Sequence, residues 1–236
     1  MAVQYLLRSN FVGLSLARLK SSKKANLVQY LHRQMTDEFS KEARTHSYRA
    51  RSAFKLIEIN KRFEIIEPGS VVVDVGSAPG SWCQVLLEII RPNENTGGYI
   101  LGIDLKPMLP IKGVDLLGSS NITHMETHEA IRRRLTNREV DAVISDMAPN
   151  PTGDKQVDHA RIIDLCRHVV HLFINDHSPV IPLRRGGSFL CKIWDGTERN
   201  AFVSELRQHF GHVRSIKPQA SRDDSGELFI LATAKK

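Results

Sequence analysis

A chain of 236 residues, 41% apolar and 25% charged, is long enough for one sizeable domain and ordinary in composition for a soluble globular protein. No apolar run reaches the ~18 to 20 residues that a membrane-spanning helix needs, so no such span is expected. The net charge of +7 invites a nucleic-acid partner, but the first 36 residues hold six of the 33 basic side chains and none of the 26 acids, so the charge says little about the rest.

The chain opens with MAVQYLLRSNFVGLSLARLKSSKK, which is basic, serine-containing and free of acids. Leu6, Leu7, Phe11, Leu14 and Leu16 can share a broad helical face. This pattern predicts a mitochondrial transit peptide within residues 1–36 and a single domain over 37–236. A basic arm that touches RNA is the alternative. Charges interrupt the apolar stretch too often for a secretory signal.

Residues 37–63 read as one helical stretch, rich in Lys and Arg, and PGS at 68–70 breaks it. VVVDVG (71–76) is a β-branched strand that ends in an acid and a glycine. SWCQVLLEII (81–90) is helical. GGYILGIDL is the next strand, reaching Asp104, and EAIRRRL is a helix. VDAVISDMAPN is a strand that ends at Asp146, and a long amphipathic helix follows from Asp158. GGSFLCKIW (186–194) is a strand and ERNAFVSELRQHF a helix. HVRSIKP and ELFILATAKK are two closing strands with only a loop between them. Alternating strands and helices predict an α/β domain with a mostly parallel sheet, and the last two strands suit an antiparallel insertion at its edge. Ligands in such sheets bind beyond the carboxyl ends of the strands, where Asp74, Asp104, Asp146 and the Lys192 region all fall.

Cys83, Cys166 and Cys191 are odd in number and form no C-x-x-C, which argues against a disulfide framework or zinc ribbon. His124/His128 and His168/His171 have helical spacing, but no cysteine or carboxylate set completes a metal site. They read as solvent-facing helix residues, and no metal is expected.

Three features carry chemistry. VVVDVGSAPGSW is a strand, a glycine-containing turn and a helix, which brings backbone close to a ligand. Its D-x-G-x-x-x-G spacing is neither a dinucleotide fingerprint nor a phosphate-cradling loop. Asp104, ending the second strand, can accept hydrogen bonds from a ribose diol or serve as a turn aspartate. SDMAPNPTG sets Asp146 before a loop stiffened by Pro149 and Pro151. Lys192 is the anomaly. A cation inside an apolar strand must point into a cleft, pair with an acid or do chemistry.

Six blocks in order, SYRARSAFKLIEIN, VVDVGSAPGSW, GIDLKPM, SDMAPNPTG, GGSFLCKIW and KPQASRDDSGELFILAT, resemble the FtsJ (RrmJ-type) ribosomal RNA 2′-O-methyltransferases, most closely the mitochondrial members, from about Ser47 to Ala234. The resemblance implies a Rossmann-like methyltransferase fold dependent on S-adenosyl-L-methionine. It implies a mostly parallel seven-stranded sheet with an antiparallel edge hairpin and helices on both faces. The family's Lys-Asp-Lys-Glu tetrad falls on Lys55, Asp146, Lys192 and Glu227. Its cofactor site falls on Pro79, Gly80, Ser81, Trp82 and Asp104, with Asp146 bordering both donor and acceptor. Where members carry an aspartate in the third-strand region, this chain reads GSSNITH, with Asn121 or Ser120 in its place. Without the resemblance, Lys55 reads as a solvated helix lysine and Glu227 as an ordinary strand-start residue.

The implied reaction is methylation of a ribose 2′-hydroxyl, expected at a uridine of mitochondrial large-subunit rRNA in a pre-ribosomal particle, by a monomer in the matrix. Lys192 is the expected proton acceptor. If Asp146 and Glu227 hold it as an ammonium, it orients the hydroxyl instead. Seven basic residues at 41–62 (Lys41, Arg44, Arg49, Arg51, Lys55, Lys61, Arg62) against Glu42 and Glu58 can contact phosphates. A tRNA substrate and a non-catalytic assembly factor are the competing readings, and the latter predicts a broken tetrad.

Overall fold

The computed structural model describes residues 37–92, 97–174, 178–222 and 225–236. The expected transit peptide lies outside the described residues. The chain divides into two compact units, Met1–Lys41 and Glu42–Lys236, and the sheet belongs to the second.

The single helical stretch expected over 37–63 is corrected. It is two helices, α1 (Glu38–Thr45) and α2 (Ala53–Phe63), separated by a turn in which Ser47 takes φ 60°. Side chains remote in sequence hold that turn. Gln84 Nε2 donates to the Ser47 carbonyl at 3.0 Å, its Oε1 accepts from Arg49 N at 2.8 Å, and Trp82 Nε1 donates to the Ser52 carbonyl at 2.8 Å. The helical propensity of the stretch is overridden by these tertiary bonds.

The following elements are β1 (Val71–Val75), α3 (Ser81–Ile90), β2 (Tyr99–Ile103), β3 (Asp115–Leu117), α4 (Met125–Arg134) and β4 (Val140–Ser145). Then come α5 (Lys155–Ile174), β5 (Leu183–Trp194), α6 (Arg199–His209), β6 (Phe210–Ile216) and β7 (Glu227–Lys235). One seven-stranded sheet has the order β3-β2-β1-β4-β5-β7-β6. The pairs from β3 to β5 are parallel, and β7 runs antiparallel to both β5 and β6. The closing hairpin is therefore at the edge as expected, with β7 its inner strand. The sequence reading missed β3, which is only three residues long; GSSNITH follows it as a loop.

Side-chain alternation splits the core in two, since successive strand residues face opposite sides. Val73, Leu101, Val143, Phe189 and Ile230 pack with α4, α5 and α6 on one face. Val72, Ile100, Ile144, Leu190 and Phe229 pack with α2 and α3 on the other. Both faces being covered, β1 and β4 can be almost continuously apolar, as their sequences are.

Candidate active site

β1 pairs with β2 on one side and β4 on the other, so the strand order reverses beside it. Chains leaving the carboxyl ends diverge there and open a crevice. A cavity of about 300 Å³ lies at this point, lined by Gly76, Asp104, Ser120, Asn121, Asp146 and Met147 among others. Gly76 sits at φ +85°, and a Cβ there would stand 2.3 Å from Met147 Cγ, so only glycine lets the turn pass under this wall.

Asp104 is already engaged with backbone. Its Oδ2 accepts from Ala78 N at 2.8 Å and its Oδ1 from Lys106 N at 2.7 Å. A carboxylate offers about four acceptor positions, so each oxygen keeps one for a ligand. The Asn121 side-chain Oδ1 accepts from Thr123 N at 3.0 Å and Thr123 Oγ1 at 2.9 Å, which fixes its own loop. Ser120 and Asn121 both line the cavity; Pro79, Gly80, Ser81 and Trp82 do not. Trp82 is 2% exposed, packs on Phe229 with ring centroids 5.9 Å apart, and belongs to the wall behind. Sequence reasoning also passed over Asp158, whose Oδ1 accepts from Thr152 N and Thr152 Oγ1, each at 2.7 Å, pinning the loop that follows Asp146. An acid in the first turn of α5 was its only signal.

Beneath the turn, Asp74 is wholly buried. Its Oδ2 accepts from the Cys83 thiol at 3.3 Å, and its Oδ1 has no hydrogen-bond partner among the described residues. Burial pushes its pKa up to about 7, against the thiol's contribution and helped by Asp146 and Asp104. The folded state thus keeps a proton that the unfolded chain releases near pH 4. Stability should fall as pH rises from about 4 to about 7 and then level. In Asp74→Asn this slope should vanish, narrowing the difference between pH 5 and pH 8 by roughly 2–3 kcal/mol in urea unfolding. An unchanged slope would show Asp74 ionised in the fold.

The structure gathers Lys55, Asp146, Lys192 and Glu227 by register. Lys192 stands opposite Phe229 across β5 and β7, and Trp194 opposite Glu227. Lys192, Phe229 and Glu227 therefore share the face that α2 covers, and α2 brings Lys55. Lys55 Nζ is 2.6 Å from Glu227 Oε1 and 5.7 Å from the Phe229 ring centroid. Lys192 Nζ is 2.8 Å from Asp146 Oδ1 and donates to the Asp146 carbonyl at 2.7 Å. The amine thus forms an ion pair with the carboxylate and a well-aligned hydrogen bond to the backbone carbonyl of the same residue. None of the four side chains is more than 17% exposed. Burial works to raise the Glu227 pKa, but Lys55, Lys192 and the Ser221 hydroxyl, 2.8 Å away, hold it below the usual range. Glu58 on α2 accepts from Gln219 N at 3.0 Å and Ala220 N at 3.3 Å, fixing the loop that carries Ser221.

The histidines correct one expectation. His124 and His171 are exposed, but His128 is 7% exposed, and its Nε2 meets the Ile122 carbonyl at 2.7 Å. His168, on α5, lies against it with ring centroids 5.8 Å apart. Packing α4 on α5 buries a face that spacing alone left open.

A crevice at a strand-order reversal, with ionic side chains grouped at one end, suits transfer of a group between two bound molecules. Comparison with known proteins narrows this. The FtsJ-like methyltransferase model matches residues 48–235. The chain is 51% identical over 213 residues to "rRNA methyltransferase 2, mitochondrial" of Caenorhabditis elegans, covering 89% of this chain and 96% of that one. It is 36% identical over 227 residues to "Ribosomal RNA large subunit methyltransferase E" of Parvibaculum lavamentivorans, covering 93% and 86%. A crystal structure of a Plasmodium falciparum protein described as a ribosomal RNA methyltransferase superposes with a TM-score of 0.68 at 27% identity, over 80% of this chain and 98% of that one. With the whole of its sheet inside the matched region, this chain belongs to the FtsJ-like methyltransferase family.

Proposed function

We propose that the protein methylates a ribose 2′-hydroxyl, at a uridine of mitochondrial large-subunit rRNA, using S-adenosyl-L-methionine. The observation that carries this reading is the meeting of Lys55, Asp146, Lys192 and Glu227 beside a cavity that Asp146 itself lines. The relatives' names support the RNA class and the compartment. In this reading residues 1–36 are the transit peptide, 37–236 one methyltransferase domain acting as a monomer in the matrix, and the substrate a pre-ribosomal particle.

The cavity residues fit the donor. Asp146 lines the cavity, and its largely buried carboxylate, with Oδ1 2.8 Å from Lys192 Nζ, sets negative charge beside it, which suits a cationic group on the donor. Asp104 has acceptor positions left for a ribose diol, and Ser120 and Asn121 line the wall for the base. S-adenosyl-L-methionine supplies a methyl group already activated on a sulfonium.

What remains for the chain is to place the hydroxyl in line and take its proton. Lys192 Nζ takes it. The Asp146 carboxylate offsets the charge the amine gains, and the Asp146 carbonyl fixes the amine's direction. Lys55, tied to Glu227, sets the other side of the ribose site. Low exposure of all four keeps water from competing. Of the basic segment, Arg51 Nη2 donates inward to the Ala220 carbonyl at 2.6 Å, whereas Lys61 and Arg62 are exposed at the end of α2 remote from Lys55.

The test is transfer of tritiated methyl from the donor to mitochondrial large-subunit particles, naked rRNA and tRNA. Alkaline hydrolysis should leave the label in an uncleaved dinucleotide, the mark of a blocked 2′-hydroxyl. Label on a base, or none in any RNA, overturns the reading. Asp104→Ala is expected to weaken donor binding at least about tenfold by calorimetry, because two backbone N–H groups lose their acceptor along with the ligand. Unchanged affinity would remove Asp104 from the site.

A further inference from the structure

The loop between β2 and β3 forms one wall of the cavity through Leu105 and Lys106, and the turn after β1 forms another through Gly76 and Ala78. The loop has little burial to hold it: Leu105 is 68% exposed and Leu109 77%. At the cavity's inner end Asp104 Oδ2 joins the two walls through Ala78 N. Beyond the lining residues the same loop and turn are joined again, by a group from a third segment. Arg49 Nη1 donates to the Pro79 carbonyl at 2.9 Å and to the Leu109 carbonyl at 2.9 Å, and Nη2 donates to the Pro110 carbonyl at 3.2 Å. Gly80, at φ +109°, passes close beneath, where a Cβ would stand 3.0 Å from Arg49 Nη1 and 2.6 Å from Ile111 Cδ1. The sequence reading counted Arg49 with the cations open to phosphate; its guanidinium instead faces three carbonyls of its own chain.

We propose that Arg49 is a positioning residue for donor binding, its guanidinium clasping the 105–111 loop to the glycine turn so that the two walls keep one separation. The clasp rests on the function proposed above only in naming the ligand. Nη1 alone bridges the turn and the loop and Nη2 adds a second bond to the loop, whereas a lysine's nitrogen stops one bond short of Nη1 and has no counterpart of Nη2. The same segment then leads into α2, where Ser52 Oγ meets Ser81 Oγ at 2.9 Å and Lys55 reaches Glu227. Arg49 is itself exposed, so removing it opens no void in the core.

The experiment uses the full chain with S-adenosyl-L-methionine and S-adenosylhomocysteine as calorimetric probes. Arg49→Ala should raise both dissociation constants by roughly 10- to 100-fold, as loss of charge-assisted hydrogen bonds does. The KM for donor should rise by a similar factor, with kcat at saturating donor and KM for RNA within about threefold. Arg49→Lys should recover only a small part, and added methylguanidine should restore donor affinity to the alanine variant. If the alanine variant does not fold, the lysine variant carries the same comparison. Unchanged donor affinity, or a loss confined to the KM for RNA, overturns the proposal. Failure of the wild-type protein to bind either probe would instead overturn the donor assignment.

Discussion

Replacing Lys192 by alanine is expected to lower kcat by about 10²- to 10⁴-fold, the usual worth of a positioned proton acceptor, while donor affinity stays within roughly threefold. The separation follows from geometry. Lys192 reaches Asp146 from β5 but does not itself line the cavity. The arginine variant decides between the two roles open to this amine. Arginine keeps the charge and can pair with Asp146, but it does not accept a proton in proteins. If Lys192 takes the hydroxyl proton, Lys192→Arg should be as slow as Lys192→Ala. An arginine variant retaining more than about a tenth of the wild-type rate would assign Lys192 to orientation alone. Single-turnover transfer with saturating donor and RNA makes the comparison. Both variants also disturb a nearly buried ion pair, so thermal unfolding should accompany them.

Glu227→Gln is expected to cost about 10²- to 10³-fold in kcat, comparable to losing one preorganised electrostatic group. Glutamine keeps the shape and can still accept from Ser221. It removes the charge that holds Lys55 2.6 Å away and that faces Lys192. Lys55 and Lys192 would then be left with one carboxylate, Asp146, in a site nearly closed to water. The stability effect has a definite sign. A carboxyl whose folded pKa is depressed contributes stability above its unfolded pKa, near 4.5, and that contribution is lost as pH falls through the folded value. The variant should therefore be less stable than wild type at pH 7, with the gap closing as pH falls below the unfolded pKa. A gap that does not close in acid would mean that Glu227 is not held as a carboxylate by its neighbours.

The site was legible where a residue broke a local rule. Lys192 is a cation in an apolar strand and Asp146 an acid at the end of one, and both stood out from their neighbours. Lys55 and Glu227 break no such rule. Only the family resemblance drew attention to them, because an amphipathic helix carries lysines freely and a strand often starts on a glutamate. Arg49 was counted correctly as a basic residue and misread as to its partner, since charge is visible in a sequence and the carbonyls it meets are not.

By itself the sequence determined the order of the elements from β1 onward, β3 excepted, and the rim where polar residues collect. These follow from apolar periodicity, which each short stretch records on its own. Tertiary structure alone decided the break between α1 and α2, the burial of His128 and the pairing of Lys55 with Glu227. It also set the clasp that Arg49 makes. Each of these depends on which helix lies over which end of the sheet, and on a strand register that joins residues far apart in the chain. Such long-range contacts leave no periodic mark on either partner, so only the folded chain contains them.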